Sequence, residues 1–74
     1  MPRLAFEEGL FLRGQHRPGD AVAAFREAVA ERPDHAEAWF WLAATLDNVG
    51  AEEEAVPAYH RAIELGLPPG LRAK

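Results

Sequence analysis

Apolar residues recur along this chain at helical spacing. Ala21, Val22, Phe25, Ala28 and Val29 fall at i, i+1, i+4, i+7 and i+8, which gathers them on one face of a helix. Ala55, Val56, Tyr59, Ala62 and Ile63 repeat that spacing, and Trp39, Leu42, Ala43 and Leu46 give the i, i+3, i+4, i+7 stripe of another helix. The pattern predicts four helices, at about 3–14, 18–32, 35–48 and 52–65.

The boundaries between them carry their own chemistry. Pro18 suits a first helical turn, where its missing N–H costs nothing. Pro33 ends the second helix, because the residue before a proline, Arg32, is pushed out of the α region. Asp34 is the expected N-cap of the third helix, with Glu37 as its capping-box partner three residues on. Gly50 closes that helix in the left-handed conformation. Glu52, Glu53 and Glu54 sit at the positive end of the fourth helix dipole and read as a solvated helix start. Gly66, Pro68 and Pro69 stop the fourth helix. Pro57 lies inside it, so either the helix kinks there or it starts late enough to hold Pro57 in its first turn.

The helices also repeat. Sliding the chain on itself until Phe6 falls on Phe40 also brings Leu12 onto Leu46, Ala21 onto Ala55, Val22 onto Val56, Ala24 onto Ala58, and Ala28 onto Ala62. Phe25 meets Tyr59 and Val29 meets Ile63 as conservative pairs. Most matches fall in one block, 21–29 against 55–63, so the repeat and the helical stripe are one signal.

Period and residues together resemble the tetratricopeptide repeat, whose pattern is W-x2-L-G-x2-Y, then A, then A-x3-F-x2-A, then P. The second repeat reads Trp39, Leu42, Ala43, Leu46, Ala55, Tyr59 and Ala62 at the family's spacing, with Ala43 for the usual glycine and Leu46 for the usual tyrosine. Leu67 stands where the family has its terminal proline. The first repeat reads Ala5, Glu8, Gly9, Leu12, Ala21, Phe25, Ala28 and Pro33, with Glu8 in the usual leucine place. Either Glu8 is tolerated at an exposed end, or the loop from Gly14 to Gly19 holds an insertion and the register shifts to Phe6 and Leu10.

The resemblance implies an all-α fold of two stacked antiparallel helix pairs in a right-handed superhelix, with a short C-terminal segment. It gives one domain over 1–74, with repeat one at 2–35, repeat two at 36–69, and 70–74 as the start of an unfinished third repeat or a tail. Two repeats fall short of the three or more that such stacks ordinarily need. A chain of this length has a stability of about 4–11 kcal/mol, and an uncovered end places it at the bottom of that range or below. Either the chain is a piece of a longer array, or it covers its open end by self-association into a homo-oligomer.

Composition narrows the functional classes. The 74 residues contain no cysteine, and none is serine. Thiolate metal sites, disulfides and serine or cysteine nucleophiles are therefore absent, and no P-loop lysine exists, since the one lysine is Lys74. Fifteen alanines and 49% hydrophobic residues describe a helical, folded chain. Net charge is −4, unevenly spread: residues 36–69 carry one arginine against six acids. Without a basic stripe to neutralise phosphates, nucleic acid is not an expected partner. No apolar run reaches the roughly 18 residues of a membrane span, and Glu7 and Glu8 argue against a signal peptide. A cytoplasmic location follows as the default expectation. Arginine preference and alanine excess suggest a GC-rich bacterial source.

Arrays of this family bind peptides or protein segments in a concave groove lined by the first helix of each pair. The resemblance places Phe6, Leu10 and Arg13 there from the first repeat, with Arg3 and Gly14 beside them. From the second it places Phe40, Trp41, Ala44, Asp47 and Asn48, with Glu37. The Lys, Arg and Asn with which chaperone-binding members clamp a carboxylate are not at matching places. Trp39 and Leu42 point one way on the third helix while Phe40 and Trp41 point another, so large aromatics are expected to be left exposed as an interaction surface. The expected partner is an apolar or amphipathic segment of another protein. An enzyme is not expected: His16, His35 and His60 form no converging ligand set, and no cofactor or metal is implied.

Overall fold

The computed structural model describes residues 4–67. They form α1 (Ala5–Gly14), α2 (Pro18–Glu31), α3 (Ala36–Asn48) and α4 (Glu52–Glu64), with no strand among the described residues. Each helix packs on the next in chain order. The connections are three to four residues long, which makes neighbours antiparallel. Arg3, Pro68, Pro69 and the 70–74 segment lie outside the described residues.

The sequence period is kept in the backbone. α1 ends at Gly14 and α3 at Asn48, and α2 begins at Pro18 and α4 at Glu52, so both boundaries recur at the offset that sets Phe6 on Phe40. The loop after α1 therefore holds no insertion. Gly9 is buried and Leu10 is exposed, which gives α1 the unshifted register of Ala5, Glu8, Gly9 and Leu12.

Three helices end in the same hydrogen-bonded turn. After α3, Gly50 takes φ 87°, the Ala51 N–H donates to the Leu46 carbonyl at 2.8 Å, and the Gly50 N–H donates to that of Asp47 at 3.1 Å. These are the two bonds of a Schellman motif, and they satisfy carbonyls that the helix end leaves without partners. Gly66 does the same after α4 with φ 113°. After α1 the left-handed position falls to His16, at φ 60°, with Arg17 donating to Leu12 at 3.0 Å. Neither neighbouring glycine takes a positive φ. α2 ends differently: Arg32, ahead of Pro33, leaves the helix at φ −136° and ψ 81°.

One expectation at the boundaries is corrected, and one of two alternatives is excluded. α3 starts one residue later than a cap at Asp34 requires: His35 is the N-cap, and no side chain caps the helix. The His35 N–H closes a turn onto the Arg32 carbonyl at 3.0 Å, which uses Asp34 within the turn and puts Ala38, not Glu37, three residues past the cap. Pro57 does not stand in the first turn either, since α4 begins at Glu52 and continues through it. The amide that Pro57 lacks is the partner of the Glu53 carbonyl. Both residues are exposed, so the carbonyl is open to solvent and the missing bond costs less than it would in a buried helix.

The core is built on alanine and one phenylalanine. Ala21, Phe25, Ala38 and Ala43 have no exposed surface, and Leu42 and Leu46 close around them. Gly9 fixes how closely α1 approaches α2: a Cβ there would meet the Phe25 ring at 2.6 Å. The small residue is thus a steric requirement of the α1–α2 crossing. Thr45 is fully buried, and its hydroxyl donates to the Trp41 carbonyl at 2.7 Å, which satisfies it within its own helix.

Candidate functional site

Residues carried to the groove from the sequence divide into two groups in the structure. Phe6 and Phe40 are half-buried, with their rings committed to the second helix of their own repeat. Phe6 lies 6.0 Å from Phe25 at 57°, and Phe40 lies 6.0 Å from Tyr59 at 61°. The ring pair of the first repeat therefore recurs in the second. Phe6 carries a further ring, His35 at the start of α3, with centroids 4.6 Å apart.

Arg13 and Trp41 meet across the α1–α3 face. The Arg13 guanidinium lies 4.6 Å from the centroid of the indole, within the range of a cation–π contact. Phe40 meets the same indole edge-on at 5.2 Å. Leu10 is 38% exposed one turn before Arg13, and Ala44 is half-buried one turn after Phe40. Asp47 and Asn48 are exposed at the C-terminal end of α3, where Gly14 is also exposed at the end of α1; Glu37 is exposed at the opposite end of α3.

The expectation that Phe40 and Trp41 stand bare is corrected. Both are half-buried, because Tyr59 takes one face of Phe40 while Trp41 packs on the core and carries Arg13. Trp39 also has a defined role. Its indole N–H donates to the Pro33 carbonyl at 2.8 Å, pinning the connection between the repeats to α3. A second tie between repeats is the Arg26–Glu54 pair at 2.7 Å, which joins α2 to α4. Sequence reasoning missed these contacts. Arg13–Trp41 and Arg26–Glu54 each join one repeat to the other, at a separation no single-helix pattern carries. The repeat signal could have found them, because it sets α1 beside α3 and α2 beside α4.

Charge over the described residues is predominantly negative. Residues 4–67 hold five arginines against twelve carboxylates. Three of the arginines, Arg17, Arg26 and Arg61, are engaged with Asp20, Glu54 and Glu64. Among the described residues, no three histidine or carboxylate groups converge as metal ligands, and no helix is long and apolar enough to cross a membrane.

Comparison with known proteins agrees with the geometry. A peroxisomal targeting signal receptor of Eremothecium gossypii is 47% identical over 53 residues. That stretch is 72% of this chain and 9% of the relative, so the chain spans a small part of the relative's length. No solved structure matches the chain. The family model for the tetratricopeptide repeat matches residues 6–70, which contain all of α2, α3 and α4 and all but the first residue of α1. With four helices in two pairs, one period shared by backbone and core, and that match, the chain belongs to the tetratricopeptide repeat family.

Proposed function

We propose that this chain is a non-catalytic recognition module that binds an apolar or amphipathic segment of another protein along the α1–α3 face. The observation that carries the reading is the Arg13–Trp41 pair, at 4.6 Å, beside exposed Leu10. An indole fixed by the guanidinium over its ring and by the Phe40 ring beside it is a preoriented anchor, and such aromatic and arginine anchors dominate binding energies at protein interfaces. Asp47, Asn48 and Glu37 give the rim hydrogen-bonding and negative groups, which favour a segment with basic side chains beside its apolar ones. The similar fungal protein is a receptor for a targeting signal, and this supports recognition rather than catalysis as the activity.

The test uses a panel of synthetic amphipathic peptides, basic and acidic versions of each, titrated against the chain with tryptophan emission as the readout. Basic peptides should bind, and Trp41→Glu should weaken them at least about tenfold, the effect of losing an interface anchor. Circular dichroism confirms that the variant remains helical. Equal binding by wild type and Trp41→Glu removes this face from the account, and preference for the acidic versions reverses the assignment of the rim.

A further inference from the structure

The α1–α3 face uses one side of α3. Trp39 and Trp41 are two residues apart, about 200° round the helix from each other, so Trp39 serves the opposite side. There a cleft of about 310 Å³ runs between α2, α3 and α4. Every residue that lines it lies between Arg26 and Arg61, so the cleft belongs to the junction of the two repeats and not to either end of the chain. Its floor is the buried Leu42 and Leu46 of α3. Its α4 wall is one helical stripe, Glu54, Pro57, Ala58 and Arg61, at i, i+3, i+4 and i+7. α3 and α4 are antiparallel, so Leu46 lies toward Glu54 and Trp39 toward Arg61. The hydrogen bond from the Trp39 indole to the Pro33 carbonyl fixes that ring in the wall. Pro57 adds an exposed apolar ring opposite.

Charge gives the cleft a direction. Arg26, Arg61 and Glu54 are the charged residues that line it, so it is locally cationic in a chain of net charge −4. Arg26 and Glu54 close on each other at 2.7 Å and neutralise one end. At the other end Arg61 pairs at 3.2 Å with Glu64, one turn on and outside the lining. Both side chains of that pair are largely exposed, and an exposed pair of this kind contributes little and is readily exchanged.

We infer that this cleft takes an acidic segment of a partner protein, in which an apolar side chain stands beside a glutamate or aspartate. The apolar side chain lies over Pro57 and Ala58, against Trp39 and Leu42. The carboxylate takes the guanidinium of Arg61 in place of Glu64, where the arginine offers a pair of N–H donors to its two oxygens. Glu54 repels the carboxylate from the opposite end, which sets the orientation of the segment. The volume is at the small end of ligand pockets, about 300–1,000 Å³, and suits one inserted side chain. The inference is independent of what the α1–α3 face binds, and the two faces have opposite charge preferences.

The test is an NMR titration with short peptides blocked at both termini, so that side chains carry their only carboxylates. Each has a central leucine flanked by glutamates, by glutamines or by lysines. The glutamate version should bind most tightly and the lysine version most weakly. Binding should move the Trp39 indole N–H and the amides of residues 54–61 while the Trp41 indole stays in place. Arg61→Gln should weaken the glutamate version about three- to tenfold and leave the glutamine version unchanged. Glu64→Gln, which frees the guanidinium, should tighten the glutamate version. Both sites are exposed, and circular dichroism checks that the variants stay helical. No binding of the glutamate version overturns the inference, as does equal binding of the lysine version. Shifts centred on the Trp41 indole overturn it by placing the peptide on the other face. Equal weakening of all versions by Arg61→Gln overturns it by removing the charge selection.

Discussion

Phe25 and Tyr59 hold the same place in two successive repeats and meet equivalent partner rings, Phe6 and Phe40, at the same 6.0 Å, yet Phe25 has no exposed surface and Tyr59 is only half-buried. The pairs of helices are alike. What differs is that α3 lies against α2, while nothing among the described residues stands in that relation to α4. Burial in this architecture is supplied by the neighbouring repeat as much as by the repeat itself, so stability is a sum of repeat and junction contributions. Two repeats with one pattern then have unequal strength.

The largest test of that comparison truncates the two rings. Phe25→Ala leaves a cavity at the one large apolar side chain that is fully buried among the described residues, and large-to-small changes of this kind cost about 3–5 kcal/mol. A loss of that size takes away much or all of the about 4–11 kcal/mol that is ordinary for this length. Tyr59→Ala removes a half-buried ring and should cost about 1–2 kcal/mol. Urea denaturation followed by circular dichroism measures both. Equal losses would mean that the junction with α3 adds nothing to the first repeat.

A smaller effect separates the repeats at their closest crossing. Gly9 and Ala43 are counterparts, but a methyl group on Gly9 would overlap the Phe25 ring at 2.6–2.8 Å. Overpacking costs about 1–3 kcal/mol, and glycine-to-alanine in a helix returns about 1 kcal/mol. Gly9→Ala should therefore destabilise by up to about 2 kcal/mol net, read as a lower melting temperature. Adding Phe25→Leu to Gly9→Ala should recover part of the clash that Gly9→Ala introduces. A melting temperature that rises in Gly9→Ala alone shows that the buried ring yields.

These positions also show how far the chain could be read before its structure. The stripes at 21–29 and 55–63 fix both second helices, because apolar spacing and the repeat say the same thing there. α1 was harder. Glu8 breaks its stripe, and only the common offset of the helix ends, with Gly9 against Phe25, settles the register. The candidate site could be named from the sequence only as a set of residues on two first helices. Its geometry was not, since the partner of Trp41 is Arg13 on another helix, and the ring of Phe40 turns to Tyr59. Asp34 misled because a capping pattern in sequence competes with a turn: once His35 closes onto Arg32, the cap position moves by one.

The smallest difference between the repeats is in the turn that ends their first helices, and there the comparison isolates backbone strain. His16 and Gly50 are counterparts in the same Schellman geometry, with φ 60° and 87°. His16 is exposed, and a Cβ at Gly50 would meet nothing within 4 Å. Side-chain packing therefore contributes little at either position. An L-residue in the left-handed region costs roughly 1–2 kcal/mol, partly offset because glycine gives the unfolded chain more freedom. His16→Gly should stabilise by about 0.5–1 kcal/mol, and Gly50→Ala should destabilise by about the same amount. Denaturant midpoints that move in opposite directions sustain the equivalence of the two turns. If His16→Gly lowers the midpoint, the imidazole must be making a contact that outweighs the strain, and the first repeat then differs from the second in its turn as well as in its cover.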